Sequence, residues 1–212
     1  MIEATKSIGI IGAGKLGITL AQLALGAGYD TYIAGSGDPS KIALSVEVLA
    51  PGAVVMTRKE VSSRGDIIIL ALPLSKYRSL SSVALKGKLV IDATNHWWEI
   101  DGDRDGILNS SVSSSEEIQT YLPDSRVVKA LNHMGYHHLH DEHRPVGANE
   151  RKAIALAGDN APDIETVSRL IDSLGFDPVF IGDLSMGRKL EPGGNVFGAN
   201  VTVEKLRDLL AR

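Results

Sequence analysis

Cysteine is absent from the 212 residues. That excludes disulfides, thiolate nucleophiles and Cys-ligated metal, and it fits a reducing cytoplasm. Clustered basic residues are lacking too. The net charge is −4 with no long Lys/Arg run, which argues against a nucleic-acid surface. Nowhere do about eighteen apolar residues run together, so no membrane-spanning helix is expected. The start, Met1 to Ser7, carries Glu3 ahead of any apolar stretch, unlike a secretory leader with its basic start and apolar core. Aromatic residues are scarce, at 5%, so the adjacent pair Trp97-Trp98 stands out. The expectation is a soluble cytoplasmic protein without a nucleic-acid or membrane partner.

What is present is an alternation of short apolar runs and helical periodicities. Ser7 to Ile11 reads as a buried strand, and Lys15 to Leu25 as a helix with Leu16, Leu20, Leu23 and Ala24 on one side. Strands are expected at Asp30 to Ala34, Ala53 to Met56, Asp66 to Leu72, Lys88 to Asp92 and Arg126 to Ala130. Helices are expected at Pro39 to Leu49, Lys59 to Arg64, Leu74 to Val83 and near Glu116 to Leu122, with Asn95 to Ser114 irregular. Such alternation implies βαβ crossovers and a mainly parallel, doubly wound α/β sheet. A smaller α/β block follows: a strand at Ala153 to Ala157, a helix at Pro162 to Leu174, a strand at Pro178 to Ile181 and two helical pieces. The division expected is 1–148 for a dinucleotide-binding Rossmann domain and 149–212 for a C-terminal block that extends the sheet and covers the cofactor cleft.

Gly12-Ala13-Gly14-Lys15-Leu16-Gly17 matches G-x-G-x-x-G. The pattern alone is weak, but here it leaves a buried strand, opens an amphipathic helix and is followed by a second strand. Gly12 would allow the tight turn, Gly14 would let a pyrophosphate reach the backbone, and Gly17 would let helix pack on strand. Free N–H groups and the helix dipole would then meet the phosphates.

NAD binders hold the ribose 2′-OH with a carboxylate at the end of the second strand. Here that position falls in Gly35-Ser36-Gly37, which favours the 2′-phosphate of NADP over NAD. Ser36 and the N–H of Gly37 are candidate phosphate donors, and Lys41 and Arg58 candidate counter-charges, although Asp38 sits close by.

These segments, with others further on, resemble the F420-dependent NADP reductases and their small dinucleotide-binding relatives. Carrying the resemblance are Gly9-Ile10-Ile11-Gly12-Ala13-Gly14, Gly35-Ser36, Leu70-Ala71-Leu72-Pro73, Ile91-Asp92-Ala93-Thr94-Asn95 and Val128-Lys129-Ala130-Leu131-Asn132. Ala157-Gly158-Asp159, Leu174-Gly175-Phe176-Asp177-Pro178 and Leu190-Glu191-Pro192 extend it along nearly the whole chain. The architecture is also similar to the cytosolic domain of the STEAP-type metalloreductases. The resemblance implies that Ser36 and Lys41 grip the 2′-phosphate, with Gly37 standing where the family carries Arg. It places Ala71, Leu72, Pro73 and Asn95 along the nicotinamide side. It sets Asn132 after the sixth strand, followed by His133 where a Thr is common. Asn132, His133 and nearby backbone N–H groups are the candidates for stabilising charge after hydride transfer. The implied reaction is hydride exchange between NADP(H) and coenzyme F420 or a flavin, and the implied assembly a homodimer through the C-terminal block. A flavin, ferric or quinone reductase and a non-catalytic NAD(P)H sensor are the alternatives.

Five of the six histidines, His133, His137, His138, His140 and His143, crowd one segment, read as a loop after a parallel strand. Three readings stand: a metal site, an anion-facing loop that attracts a phosphate-bearing coenzyme, or a solvated polar loop. The metal reading is the least favoured, and no metal is expected. Trp97-Trp98 reads equally as an aromatic wall over a ring ligand or as a core anchor. Asp101 to Asp105 echoes a calcium loop, but Val112 stands where the closing Glu belongs. The serines at 75, 79, 81 and 82 lack a G-x-S-x-G elbow, against a hydrolase.

Overall fold

The computed structural model describes residues 7–103 and 111–211. The polar start Met1 to Lys6 and the run 104–110, with Arg104, Asp105 and Ser110, lie outside the described residues.

Eight strands form one sheet in the order β3-β2-β1-β4-β5-β6-β7-β8. They are β1 Ser7–Ile11, β2 Asp30–Ala34, β3 Val54–Val55, β4 Ile67–Leu70, β5 Leu89–Asp92, β6 Arg126–Ala130, β7 Ala153–Gly158 and β8 Asp177–Phe180. The first six are parallel neighbours in the Rossmann order. β7 then runs antiparallel to β6, with β8 parallel to β7. The fold is the doubly wound, mainly parallel α/β sheet the sequence implies, and the strands of the C-terminal segment continue that sheet.

Alternation along each strand feeds two layers. Ile67 and Ile69 join one core with α1 (Lys15–Gly26), α2 (Ser40–Leu49), α7 (Tyr136–Glu142) and α8 (Ala161–Ser173), through Leu20, Val46, Leu139 and Val167. Ile68 and Leu70 join the other, with α3 (Arg58–Arg64), α4 (Ser82–Leu85) and α6 (Ser114–Tyr121), through Val61, Leu85 and Ile118. A third apolar cluster fixes α9 (Val203–Leu210) by Leu206 over Ala153, Ala155 and Val179.

Three expectations are corrected. Leu74 to Val83 is not one helix: a 3-10 turn, Leu74–Ser79, ends at extended Leu80 before α4 begins. Ser81 restarts the helix by accepting from the Ala84 N–H at 3.2 Å. The irregular stretch after Asn95 contains α5, Trp98–Asp101. Asp101 accepts there from the N–H groups of Trp97 and Ser75, both at 2.9 Å. The histidine segment is not all loop: His137, His138 and His140 lie on the short helix α7, with His133 ahead of it and His143 just past its end.

One buried charge pair ties the middle of the sheet. Asp92 and Lys129 face each other in register on β5 and β6, both side chains fully buried. Lys129 Nζ donates to Asp92 Oδ2 at 3.0 Å and to the Thr94 carbonyl at 2.7 Å. Ser115 and the Thr94 hydroxyl and N–H complete the carboxylate's shell. Removing one partner of such a pair leaves an uncompensated buried charge, which costs about 3–5 kcal/mol. Lys129→Met is therefore expected to destabilise by roughly that amount in urea unfolding, and Lys129→Met with Asp92→Asn to recover much of it.

Candidate functional site

The glycine loop sits where the strand order reverses, between the carboxyl ends of β1 and β4, the crevice in which such sheets bind ligands. Gly12 has φ +124°, and a Cβ there would lie 2.1 Å from the Ala71 carbonyl oxygen. A Cβ on Gly17 would lie 1.9 Å from the Gly12 oxygen. The fold itself demands both glycines. Gly14 differs: a Cβ there meets nothing within 4 Å, and its φ of −79° suits any residue. Gly14 also caps α1 without any side-chain hydrogen bond, so the first-turn N–H groups of Lys15 and Leu16 have no capping side chain beside them. An anion fits this cradle: the donors are present and the space above Gly14 is open.

Ala71 closes the far wall, its N–H donating to the Ile11 carbonyl at 2.9 Å. β4 ends at Leu70, so Ala71, Leu72 and Pro73 form the turn beyond the strand, not its last residues. The second-strand turn, Ser36 and Gly37, is exposed, as is Lys41 on α2. Of the two candidate counter-charges only Arg58 is anchored at that turn, where its Nε donates to the Gly35 carbonyl at 3.1 Å.

Beyond the glycine loop lies a cavity of about 310 Å3 lined by Leu16, Asn95, Trp97, Asn132, His133 and Phe197, among others. The structure brings together here residues that the sequence separates widely. Asn95 and Asn132 exchange amide bonds: Asn95 Nδ2 donates to the Asn132 carbonyl at 2.8 Å, and Asn132 Nδ2 to Asn95 Oδ1 at 3.0 Å. Asn132 Nδ2 also donates to the Leu190 carbonyl at 2.7 Å. Asn132 thus first positions the loops after β5 and β6. Its Oδ1 is buried without a hydrogen-bond partner.

His133 is almost fully buried and accepts at Nε2 from the Ala155 N–H at 3.0 Å. That bond requires the proton on Nδ1, which is itself buried without a partner. Burial pushes the imidazole down to about 4, so at neutral pH it is uncharged. The histidine cluster divides. His137 lines the same cavity as His133, whereas His140 and His143 line another beside Gln22 and Gly26, at the far end of α1. No three His, Asp or Glu side chains among the described residues are grouped so as to hold a metal ion.

Neither tryptophan is a core anchor. Trp97 and Trp98 are 44% and 66% exposed, and Trp97 meets Phe197 edge-on at 5.7 Å between centroids, at the cavity wall. The sequence assigns no role to Phe197, Leu190, Asp92 or Lys129. The last three stand inside segments that carry the resemblance, and for Asp92 and Lys129 a charged pair at the ends of apolar strands is the available signal. Leu190 acts through its backbone carbonyl, and Phe197 stands in no such segment.

Residues 7–96 match the family described as NADP oxidoreductase, coenzyme F420-dependent. The metalloreductase STEAP3 of Rattus norvegicus is 29% identical over 191 residues, covering 89% of this chain but 36% of its own length. The chain thus spans about a third of that relative. A hypothetical protein from Sinorhizobium meliloti superposes with a TM-score of 0.79 at 25% identity, covering 93% of this chain and 95% of that one. A protein from Arthrobacter sp. FB24, proposed to be an F420-dependent NADP reductase, gives 0.72 at 22% identity, covering 86% and 87%. The resemblance drawn from the motifs is borne out, and the fold with it.

His133 gives the site a pH signature. The unfolded imidazole takes its proton near the ordinary 6.5 while the folded one resists to about 4. Between those values the unfolded state binds more protons, so its contribution to stability is full above about pH 6.5 and is lost as pH falls toward 4. The slope is about 1.4 kcal/mol per pH unit. His133→Gln, whose Oε1 can accept the Ala155 N–H, is expected to melt with a shallower acid dependence across that window. Parallel pH profiles for the two proteins would contradict the assignment.

Proposed function

We propose that this chain is an NADP(H)-dependent oxidoreductase that exchanges a hydride with a flavin-like ring, the deazaflavin coenzyme F420 being the leading acceptor. The observation that carries the reading is Gly14: the fold does not need a glycine there, and a diphosphate resting on that backbone does. The family match over residues 7–96 supports it.

Bound NADPH supplies the hydride; the protein's task is to position and to exclude water. The N–H groups opening α1 hold the pyrophosphate, and Ser36 with the Gly37 N–H addresses the ribose end. The Ala71-Leu72-Pro73 turn and Asn95 flank the path toward the nicotinamide side. The cavity beside Leu16, with Trp97 and Phe197 on its wall, takes the acceptor ring and keeps it dry. The partnerless Asn132 Oδ1 and His133 Nδ1–H adjoin that cavity as an acceptor and a donor for a polar ring edge. In this reading residues 1–148 hold the dinucleotide, and 149–212 close the acceptor side through Leu190 and Phe197. Free flavin, a quinone or a ferric complex are the alternative acceptors, and the STEAP3 similarity favours testing the last. A sensor that binds NADPH without turnover is the remaining reading.

The test uses Gly14→Val. Its backbone conformation and open surroundings predict melting within about 1 kcal/mol of the parent, with coenzyme affinity in calorimetry reduced at least about tenfold. Unaltered NADPH binding would remove the glycine-loop assignment. NADPH oxidation assayed with F420, FMN and ferric chelate then separates the acceptors, and turnover with none supports the sensor. A homodimer is also proposed, because β8 ends the sheet and carries Phe180, 55% exposed. Light scattering at micromolar concentration should give twice the chain mass, and a monomer mass would refute it.

A further inference from the structure

The turn after β2 presents a puzzle that the coenzyme reading, on which this inference rests, leaves open. Gly35-Ser36-Gly37 holds neither a carboxylate for a ribose 2′-OH nor a cation for a 2′-phosphate, and the acid that follows, Asp38, accepts from the Ser40 N–H at 2.8 Å. The fold delivers one from elsewhere. β3 lies beside β2, and α3 starts just beyond its carboxyl end with Arg58 as its first residue. The guanidinium spans from one side of the crevice to the other. Nε donates to the Gly35 carbonyl at 3.1 Å, and Nη1 to the Ser79 hydroxyl at 3.0 Å, on the turn that follows β4.

Both acceptors are neutral. Among the described residues no carboxylate pairs with Arg58, and the side chain is half-buried. Its position on the helix is adverse as well. Arg58 and Lys59 fill the first turn of α3, the positive end of the dipole, where acids are favoured. Glu60, the one acid in that turn, is folded back on Thr57, accepting from its N–H at 2.9 Å and its hydroxyl at 2.7 Å. A cation held rigidly in a place that disfavours it, with most of its donors free, is a site waiting for an anion. Beside it, a cavity of about 350 Å3 offers Ile11, Leu80 and Leu85 as apolar walls, and Ser79 and Ser81 as polar ones. That chemistry suits a purine whose ribose carries a phosphate.

We infer that Arg58, steadied by Gly35 and Ser79, is the residue by which this chain selects NADPH over NADH, taking the 2′-phosphate from across the crevice. Ser36 and the Gly37 N–H share the phosphate, and Lys41 is a solvated residue of α2.

The experiment compares the parent with Arg58→Gln, a side chain long enough to reach the Gly35 carbonyl, by calorimetry with NADP+ and with NAD+. Loss of a charge-assisted pair is expected to weaken NADP+ by about ten- to a hundredfold, while NAD+ changes by less than about threefold. Equal losses for both coenzymes would make Arg58 a mere prop of the turn and overturn the inference, as would no change. A parent that prefers NAD+ overturns it while leaving the dinucleotide reading intact; a parent that binds neither coenzyme sinks both. Should Arg58→Gln fail to fold, a crystal of the parent soaked with NADP+ decides. The guanidinium is expected within hydrogen-bond distance of the 2′-phosphate, and a phosphate held by Lys41 alone overturns the assignment.

Discussion

Helix α1 rests on bare backbone. The missing Cβ of Gly17 is what lets it settle on the Gly12 carbonyl, and the missing Cβ of Gly12 is what lets β1 turn beside the Ala71 carbonyl. Both contacts are closer than any side chain could tolerate, so the angle at which α1 leaves the sheet is fixed by sterics before any ligand arrives. That angle aims the open N-terminus of α1 at the crevice between β1 and β4. The cradle is therefore a consequence of packing, and Gly14 is the place where packing ceases to demand a glycine.

The loops around the cavity beyond the glycine loop are organised by polar contacts, each made across the sheet. Asp92 and Lys129 neutralise each other at the carboxyl ends of β5 and β6, and Thr94 is bound into the same network. Asn95, one residue later, inherits that rigidity and passes it to Asn132 through paired amides. His133 performs a related task toward β7, satisfying the Ala155 N–H with a neutral ring where β6 has ended. A charged imidazole would be costly there. The buried pair and the buried histidine cost desolvation, and what they yield is a fixed relation between two loops that would otherwise move independently.

How much of this was legible beforehand depends on the range over which each signal acts. Local signals read well: the apolar run Ser7–Ile11, the periodicity of α1, and Pro162 in the first turn of α8 all name their structures within a few residues. The helix α7 was missed because six of its seven residues are polar or aromatic, only Leu139 is buried, and no side chain caps it. Its helicity is imposed by packing on α1, a tertiary effect that periodicity does not register. The Leu74–Ser79 turn was overextended into Val83 because Leu80 continues the apolar rhythm while its backbone is extended. The glycine loop, a contiguous string, is readable as a tight strand-to-helix turn. The Asn95 to Asn132 pairing spans 37 residues, and nothing in either neighbourhood announces the other.

In the proposed reading, the same distinction divides the labour between the coenzyme's two ends. Diphosphate recognition uses backbone N–H groups, which every residue has, so its only sequence requirement is the absence of side chains in the way. Recognition at the ribose end needs charge, and charge can be supplied by any element whose geometry reaches the turn. Here β3 is two residues long and α3 begins three positions after it, which sets a first-turn side chain directly beside the end of β2. A short edge strand thus gives the second-strand turn a neighbour that a longer one would carry past it. In that proposal an arginine in the turn itself, which Gly37 does not supply, and Arg58 at the head of α3 are alternative solutions to the same electrostatic requirement, and a reading confined to the turn meets only one of them.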